Sequence, residues 1–585
     1  MAIFRTYNVG SDPWPEYPRP QLRRSQWRSL NGIWTYENAA GMHELDHPPL
    51  GRILAQEVLV PSCLESGLSG IQGTNTIYSW FFTTFEVPQG WKGGRVLLNF
   101  GAVDYEATVF INGQEAAFHR GGYFAFTVDV TDYLHDGKPN DLLVFVHDPT
   151  DSDPYVIPVG KQTLQPSHIF YTSCSGIWQS VWIELAPTDH ITAVDISAGM
   201  NGRVDAIISS SGSNNQQVHI EIVDRSSREV VGSHHTISDF PFSFVVDSPK
   251  LWSPDSPFLY DVFVTMQKDR VESYVGFRSL SRGIINGVNR PLLNGKFDFW
   301  FGTLDQGYWP DGIYVPPNLE AMEYDLRALK SIGINMLRKH IKIEPSLFYE
   351  SCDKLGLVVI QDMPALKPKN NPNPNKEQLT EFIRQLGMMV KQLKPFTSIV
   401  AWTIYNEDWG QPDDADEFEL VDMIEILDPT RLVNAVSGWQ DHGAGDFDDN
   451  HHYPRPQCGT PEYSFPSGPY DQSRIALQGE FGGIGQNVSL AHLWNVSAAI
   501  ATIKETYELA ENMDAWNAHC HVLLQELKEQ IELHACSGGV WTQTTDVEGE
   551  VNGILTYDRR LFRPDVQQWR DDIQALYDAA AKRVS

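Results

Sequence analysis

Two textures divide the chain. Through roughly residue 280 the hydrophobic positions come in short alternating or aromatic-rich runs separated by Gly, Pro, Asn and Asp, which predicts antiparallel β-sandwiches. Val96–Phe100, Thr108–Ile111 before the turn Asn112-Gly113, Leu142–His147 and Val181–Leu185 form a first set. A break at Pro187-Thr188-Asp189 precedes a second, which includes Val218–Val223 and Tyr260–Met266. From about Gly287 apolar runs alternate with amphipathic helical stretches, the pattern of βα units around a parallel sheet. The predicted strands are Phe297–Gly302, Ile334–His340, Leu357–Asp362, Ile399–Glu407, Arg431–Ser437, a weak one at Phe447–His452, Ile475–Glu480 and Gly538–Asp546. Helices are predicted at Leu319–Ser331, Lys376–Leu393, one long stretch across Ile500–His534, and Pro564–Ala580. Eight strands over a segment of this size predict one (β/α)₈ barrel. The expected organisation is thus two β-sandwich domains, 1–187 and 188–280, and a barrel over 281–585.

Composition sharpens this picture in three ways. The 585 residues carry 44 Lys plus Arg against 75 Asp plus Glu, a net charge of −31, which excludes a surface built to grip nucleic acid or anionic lipid. No apolar run approaches the ~18 residues needed to cross a bilayer, and the start lacks a charged n-region followed by an apolar stretch, so a soluble, cytoplasmic protein is expected. The six cysteines show no CxxC spacing, so neither a zinc site nor a disulfide framework is expected. The 17 tryptophans are a generous number and point to indole faces in use, with Trp300, Trp309, Trp402 and Trp541 expected around the barrel mouth.

Functional residues of such a barrel lie at the C-terminal ends of its strands. Those ends read Arg338-Lys339-His340, Asp362, Asn406-Glu407, His451-His452-Tyr453, Gly479-Glu480 and Thr545-Asp546. Two carboxyls facing one another across the mouth are what retaining glycoside hydrolysis requires: one protonated to donate to the leaving oxygen, one ionised to attack the anomeric carbon. Strands four and seven of an eight-strand ring permit that pairing for Glu407 and Glu480. His43-Glu44-Leu45-Asp46-His47 fits HExxH, but Gly41 before it and Pro48-Pro49 after it oppose the helix that zinc binding would need.

At this point the chain resembles glycoside hydrolase family 2, the β-galactosidases, β-glucuronidases and β-mannosidases. Leu30-Asn31-Gly32-Ile33-Trp34, Phe110-Ile111-Asn112-Gly113 and Ser175-Gly176-Ile177-Trp178-Gln179-Ser180-Val181-Trp182 resemble its jelly-roll sugar-binding domain. Trp252-Ser253-Pro254, Pro257-Phe258-Leu259-Tyr260 and Gly276-Phe277-Arg278 resemble its immunoglobulin-like domain, and Leu293-Asn294-Gly295-Lys296 the entry to its TIM barrel. Trp402-Thr403-Ile404-Tyr405-Asn406-Glu407 is similar to the acid/base strand and Gln478-Gly479-Glu480-Phe481-Gly482 to the nucleophile strand. The resemblance implies Glu407 as general acid then base, Glu480 as nucleophile, Asn406 on the hydroxyl beside the anomeric carbon, and Arg338 and His340 shaping the sugar pocket. Asp362, His452, Tyr453, Trp541 and Asp546 are further expected pocket residues, with Asp305 and Trp309 from an unusual aromatic first βα loop. Glucuronidases of the family carry Asn-x-Lys after the eighth strand, whereas Glu550-Val551-Asn552 is followed by Gly553-Ile554, with no lysine. A neutral, galactose-like glycone is therefore expected, pyranose or furanose, with arabinosides open. A glucuronidase or mannosidase, and a non-catalytic carbohydrate-binding protein, are the alternatives. No cofactor is expected to be required; bound magnesium or sodium, found in some relatives, and homo-oligomerisation stay open.

Overall fold

The computed structural model describes residues 13–583 apart from 74–76, 153–154, 213, 367–373, 414, 495 and 507. The amino-terminal domain is a sandwich of two antiparallel sheets. One has six strands, in the order Gln56–Val60, Gly32–Asn38, Tyr78–Phe85, Asn140–His147, Glu106–Ile111 and Gln114–Arg120; the other has four, Trp27–Ser29, Val181–Ala186, Arg95–Phe100 and Phe126–Asp129. Trp34, Phe81, Leu98, Phe100, Val109, Val144 and Ile183 fill the space between them. The second domain packs a three-stranded sheet on a four-stranded one, and its pattern is legible in a single strand. In Gln217–Asp224 every second residue, Val218, Ile220, Ile222 and Asp224, is buried.

A small three-stranded sheet spanning Leu280–Ile285, Val288–Leu293 and Lys296–Phe297 leads into the barrel. The barrel strands are β1 Trp300–Asp305, β2 Met336–Lys339, β3 Val358–Asp362, β4 Ile399–Asn406, β5 Leu432–Ser437, β6 Phe447–His451, β7 Ile475–Gly482 and β8 Cys536–Thr542. They pair in parallel in the order β5-β4-β3-β2-β1-β8-β7-β6. The seam between β5 and β6 is closed by side chains: Asp449 Oδ2 accepts from Asn434 Nδ2 at 2.7 Å and Ser437 Oγ at 2.6 Å. Every residue of β4, β5, β7 and β8 is buried, so these strands read as continuous apolar runs with no alternation.

Helices α1 Leu319–Ser331, α2 Ser346–Leu355, α3 Lys376–Leu393, α4 Glu417–Leu427, α5 Val496–Thr506, α6 Met513–Leu533 and α7 Val566–Lys582 form the outer layer. α3 begins with a capping box between Asn375 and Gln378 and buries Phe382, Leu386, Met389, Val390 and Leu393, one stripe at helical spacing. The single long helix expected across Ile500–His534 is two. Leu509–Ala510 pairs with Gly485–Gln486, and Asn512 restarts the chain as α6 by accepting from Ala515 N–H at 2.9 Å.

One further expectation needs correction. Cys63 and Cys174 form a disulfide although 111 residues separate them, because the loops that carry them meet with Cα atoms 4.6 Å apart. The HExxH stretch folds as a 3₁₀ turn, Met42–Asp46, and Glu44 Oε2 accepts from Trp80 Nε1 at 2.8 Å. Among the described residues no helix is long and apolar enough to cross a membrane.

The first sandwich sits on the barrel mouth. Tyr314 from the first βα loop packs against Trp178 and Tyr123, with ring centroids 5.4 and 6.1 Å away, and Tyr308 against Tyr171 at 4.9 Å. Val159 and Gly160 N–H groups bond the Ala365 carbonyl beyond β3 at 2.9 and 3.0 Å.

Candidate active site

Glu407 follows the last residue of β4 in a left-handed conformation (φ 55°), its N–H bonded to the Ser437 carbonyl of β5 at 2.7 Å. Such a backbone is uncommon for a non-glycine residue, and here it turns the carboxyl across the mouth. Glu480 points inward from β7. Between them stands His451, the last residue of β6, with Nδ1 3.0 Å from Glu407 Oε1 and 3.7 Å from Glu480 Oε1. One carboxylate oxygen of each glutamate and the imidazole nitrogen all lie within 4.8 Å of one another. On its other edge, His451 Nε2 lies 2.8 Å from Ser437 Oγ, which in turn bonds Asp449.

Arg338, on β2 and 1% exposed, ties this group together. It bonds Asp362 through Nε (3.0 Å) and Nη2 (2.9 Å), Glu480 Oε1 (3.1 Å) and the Gly479 carbonyl (3.2 Å) through Nη1, and Asn406 Oδ1 through Nη2 (2.7 Å). Tyr453 donates its hydroxyl to the other oxygen of Glu480. His340 bonds Asp362 at 3.3 Å, and Trp409 packs edge-on against its ring.

This environment drives the two glutamates apart. Burial acts on both to favour the neutral acid. For Glu480 the charges of His451 and Arg338 and the Tyr453 hydroxyl outweigh it, and the carboxyl is held down to about 2. For Glu407 burial wins, aided by the nearby Glu480 charge and only partly offset by His451, so its pKa lies above the ordinary carboxylate value. Burial lowers His340 to about 4, leaving it neutral near pH 7. His451 moves the other way: burial opposes its charge, but Glu480 and Glu407 together raise its pKa.

Of the residues anticipated from sequence, the structure brings together Glu407, Glu480, Asn406, Arg338, His340, Asp362 and Tyr453. Others lie elsewhere. His452 turns its ring to the Arg455 carbonyl, while its neighbour His451 occupies the mouth. Trp541 faces the helical layer, packed against Phe481 and Trp569 of α7 at 5.2 and 5.3 Å. β8 ends at Thr542, so Asp546 is well into the following loop, where Arg563 clamps both its oxygens at 2.8 and 2.7 Å. Asp305 is paired with Lys339 at 3.1 Å, and Trp309 lies under the Arg559 guanidinium at 3.8 Å. Trp300 and Trp402 are core residues bonded to Asp298 and Asp428. The indoles beside the site are Trp409, against His340, and Trp439, edge-on to His451 at 5.9 Å. Lys161 of the first sandwich was also missed: its Nζ lies 5.7 Å from the centre of the Trp409 ring.

Three family models match the chain: "Glycosyl hydrolases family 2, sugar binding domain" over 54–186, "Glycosyl hydrolases family 2" over 187–278, and "Glycosyl hydrolases family 2, TIM barrel domain" over 317–453. A putative β-glucuronidase of Formosa agariphila is 26% identical over 72% of this chain and 52% of its own length, so the chain spans about half of that relative. A β-galactosidase of Thermoanaerobacter pseudethanolicus is 25% identical over 52% of this chain and 42% of that one. The solved structure of a β-glucuronidase from an uncultured Clostridium sp. superposes with a TM-score of 0.75 at 19% identity, covering 95% of this chain and 99% of the other, which establishes a shared fold.

Proposed function

The chain belongs to glycosyl hydrolase family 2, and from that premise we propose that it is a retaining, exo-acting glycosidase whose glycone is a β-linked glucuronic acid. The observation that carries the reaction type is the pair Glu407 and Glu480, with carboxylate oxygens within 4.8 Å and pKa values pushed in opposite directions. Retaining enzymes hold their carboxyls about 5–5.5 Å apart, inverting ones about 6.5–9.5 Å. Ionised Glu480 attacks the anomeric carbon as protonated Glu407 donates to the departing oxygen. The leaving group departs as its alcohol, and a covalent glycosyl-enzyme remains. Glu407, now a carboxylate, takes a proton from water as the water oxygen displaces Glu480. Arg338 fixes both Glu480 and the Asn406 amide, whose NH₂ group is left to meet the hydroxyl beside the anomeric carbon.

The relatives named β-glucuronidase, in sequence and in structure, favour that glycone over the neutral, galactose-like one expected from the missing lysine after Asn552. The neutral reading keeps support in relatives named β-galactosidase. Turnover of a panel of 4-nitrophenyl glycosides, glucuronide, galactoside, mannoside and arabinofuranoside among them, separates the two. The glucuronide is expected to give the highest kcat/KM, and NMR of the first-formed sugar is expected to show retained configuration. Net inversion would overturn the two-step mechanism, and sugar binding without turnover of any glycoside would favour the binding protein.

A further inference from the structure

A uronic acid carboxylate taken out of water needs a fixed cation, and the Glu550-Val551-Asn552 stretch after β8 carries none, while Arg559 and Arg563 farther along that loop are paired with Asp325 and Asp546. Asn552 there is committed to its neighbours: Gln543 Nε2 donates to its Oδ1 at 2.7 Å, and its own amide donates to Glu550 at 3.0 Å. We infer that Lys161, delivered by the amino-terminal sandwich, is the cation that recognises the substrate carboxylate. The inference rests on the glucuronide reading above and adds which residue and which domain set it.

Four observations place Lys161 for that task. It is 6% exposed, and among the described residues no carboxylate comes within ion-pair distance of its ammonium group. Its Nζ lies between the loops after β4 and β8, 5.7 Å from the Trp409 ring and 5.5 Å from the Tyr171 ring, whose hydroxyl bonds Glu550. Aromatic faces hold a cation without neutralising it, so the charge stays available to a ligand. The fields of Glu480 and Glu407 reach it: burial lowers its pKa, while Glu550, Glu480 and Glu407 pull it back up. Finally, its backbone is built into the barrel. Gly160 adopts φ +65°, and a Cβ there would stand 2.6 Å from the Ile341 carbonyl, so the chain passes too close to β2's loop for any side chain. Gln162 is fixed by Asp104 at 3.0 Å and by Cys174 N–H at 2.7 Å. A lysine held this firmly on both sides, with no carboxylate paired to it among the described residues, is a preformed half of an ion pair.

The test measures kcat/KM for 4-nitrophenyl β-D-glucuronide and for its uncharged methyl ester, with the wild type, Lys161→Met and Lys161→Arg. Thermal unfolding reports whether each variant is folded, and Lys161→Gln carries the comparison should Lys161→Met not fold. The wild type is expected to prefer the acid. Lys161→Met is expected to lose at least about 30-fold on the acid, mainly through KM, and to bring the acid-to-ester ratio near one. Lys161→Arg is expected to recover part of the preference. A neutral variant that keeps the wild-type ratio would overturn the role of Lys161 and leave the glucuronide reading intact. A wild type that cleaves neutral glycosides but not the glucuronide would overturn that reading, and the inference with it.

Discussion

Glu407 and Glu480 are the same side chain with pKa values pushed in opposite directions by what surrounds them. In the proposed mechanism attack needs Glu480 ionised and departure needs Glu407 protonated, so kcat/KM is expected to fall as pH rises through the raised pKa of Glu407. Protonation of Glu480 is expected to set the loss on the acid side, near pH 2. Glu407→Gln is therefore expected to abolish the alkaline limb and to cost about 10²–10⁴-fold on substrates with poor leaving groups. The loss should be far smaller on 2,4-dinitrophenyl glycosides, whose leaving group needs no proton; an alkaline limb that persists in the variant would assign it to another group, with His451 the first to examine. Gly438 is a quieter part of the same device. At φ +99°, its absent Cβ leaves room for His451 Nδ1, 2.9 Å from where that atom would stand, and for Glu407 Cγ at 3.1 Å. Gly438→Ala is expected to lower kcat by about 10²-fold, as a small misplacement of reacting groups does, with KM little changed; steady-state kinetics on the best glycoside checks it. The two glutamates were legible because each ends a strong apolar run. His451 was not, because His452 follows it directly at the end of β6 and a register shift between Asn450 and His451 decides which one faces inward.

At the scale of elements, tryptophan shows where reading stops. β4 and β8 are buried on both faces, so no alternation tells an inward Trp from an outward one. Trp402 and Trp541, expected at the mouth, are both core residues. Trp409 and Trp439 lie in loops just past β4 and β5, where no periodicity exists to read. The first βα loop misled for a related reason: its tyrosines do wall a surface, but that surface is the contact with the sandwich. Asp546 was assigned to the mouth only because β8 was drawn four residues too long. Its bidentate pairing with Arg563, with the Gly553 N–H at 2.8 Å, makes it a clamp on the β8 loop. Asp546→Ala leaves Arg563 buried and unpaired, for which a loss of about 3–5 kcal/mol is expected. Urea unfolding followed by tryptophan fluorescence measures it, and a change below about 1 kcal/mol would show the pair to be dispensable.

Taken whole, the molecule completes its active site with a domain other than the one that carries the chemistry, and the Cys63–Cys174 disulfide lies where those domains meet. Sequence spacing gave no hint of it, since partners 111 residues apart are joined only by the sandwich topology. Cys63 Sγ receives the Tyr314 N–H of the first βα loop at 3.4 Å, and Cys174 stands three residues beyond Tyr171. Its N–H binds Gln162, the neighbour of Lys161. The bond thus ties the segment bearing Lys161 and Tyr171 to the sandwich core and, through Tyr314, to the barrel. Closing a loop of this length stabilises a fold by up to about 4–5 kcal/mol on chain-entropy grounds. The paired replacement Cys63→Ala with Cys174→Ala is expected to lower the first thermal transition by several degrees. It should also raise KM more than it lowers kcat, because Glu480, Arg338 and His451 stand on barrel strands, and Glu407 directly after one, that the bond does not touch. Calorimetry and steady-state kinetics on the same preparation separate the two effects. A lower transition with unchanged KM would reduce the disulfide to a staple of the sandwich. A fall in kcat at constant KM would mean that the sandwich steers the catalytic strands themselves, and the division of labour between glycone recognition and chemistry would have to be redrawn.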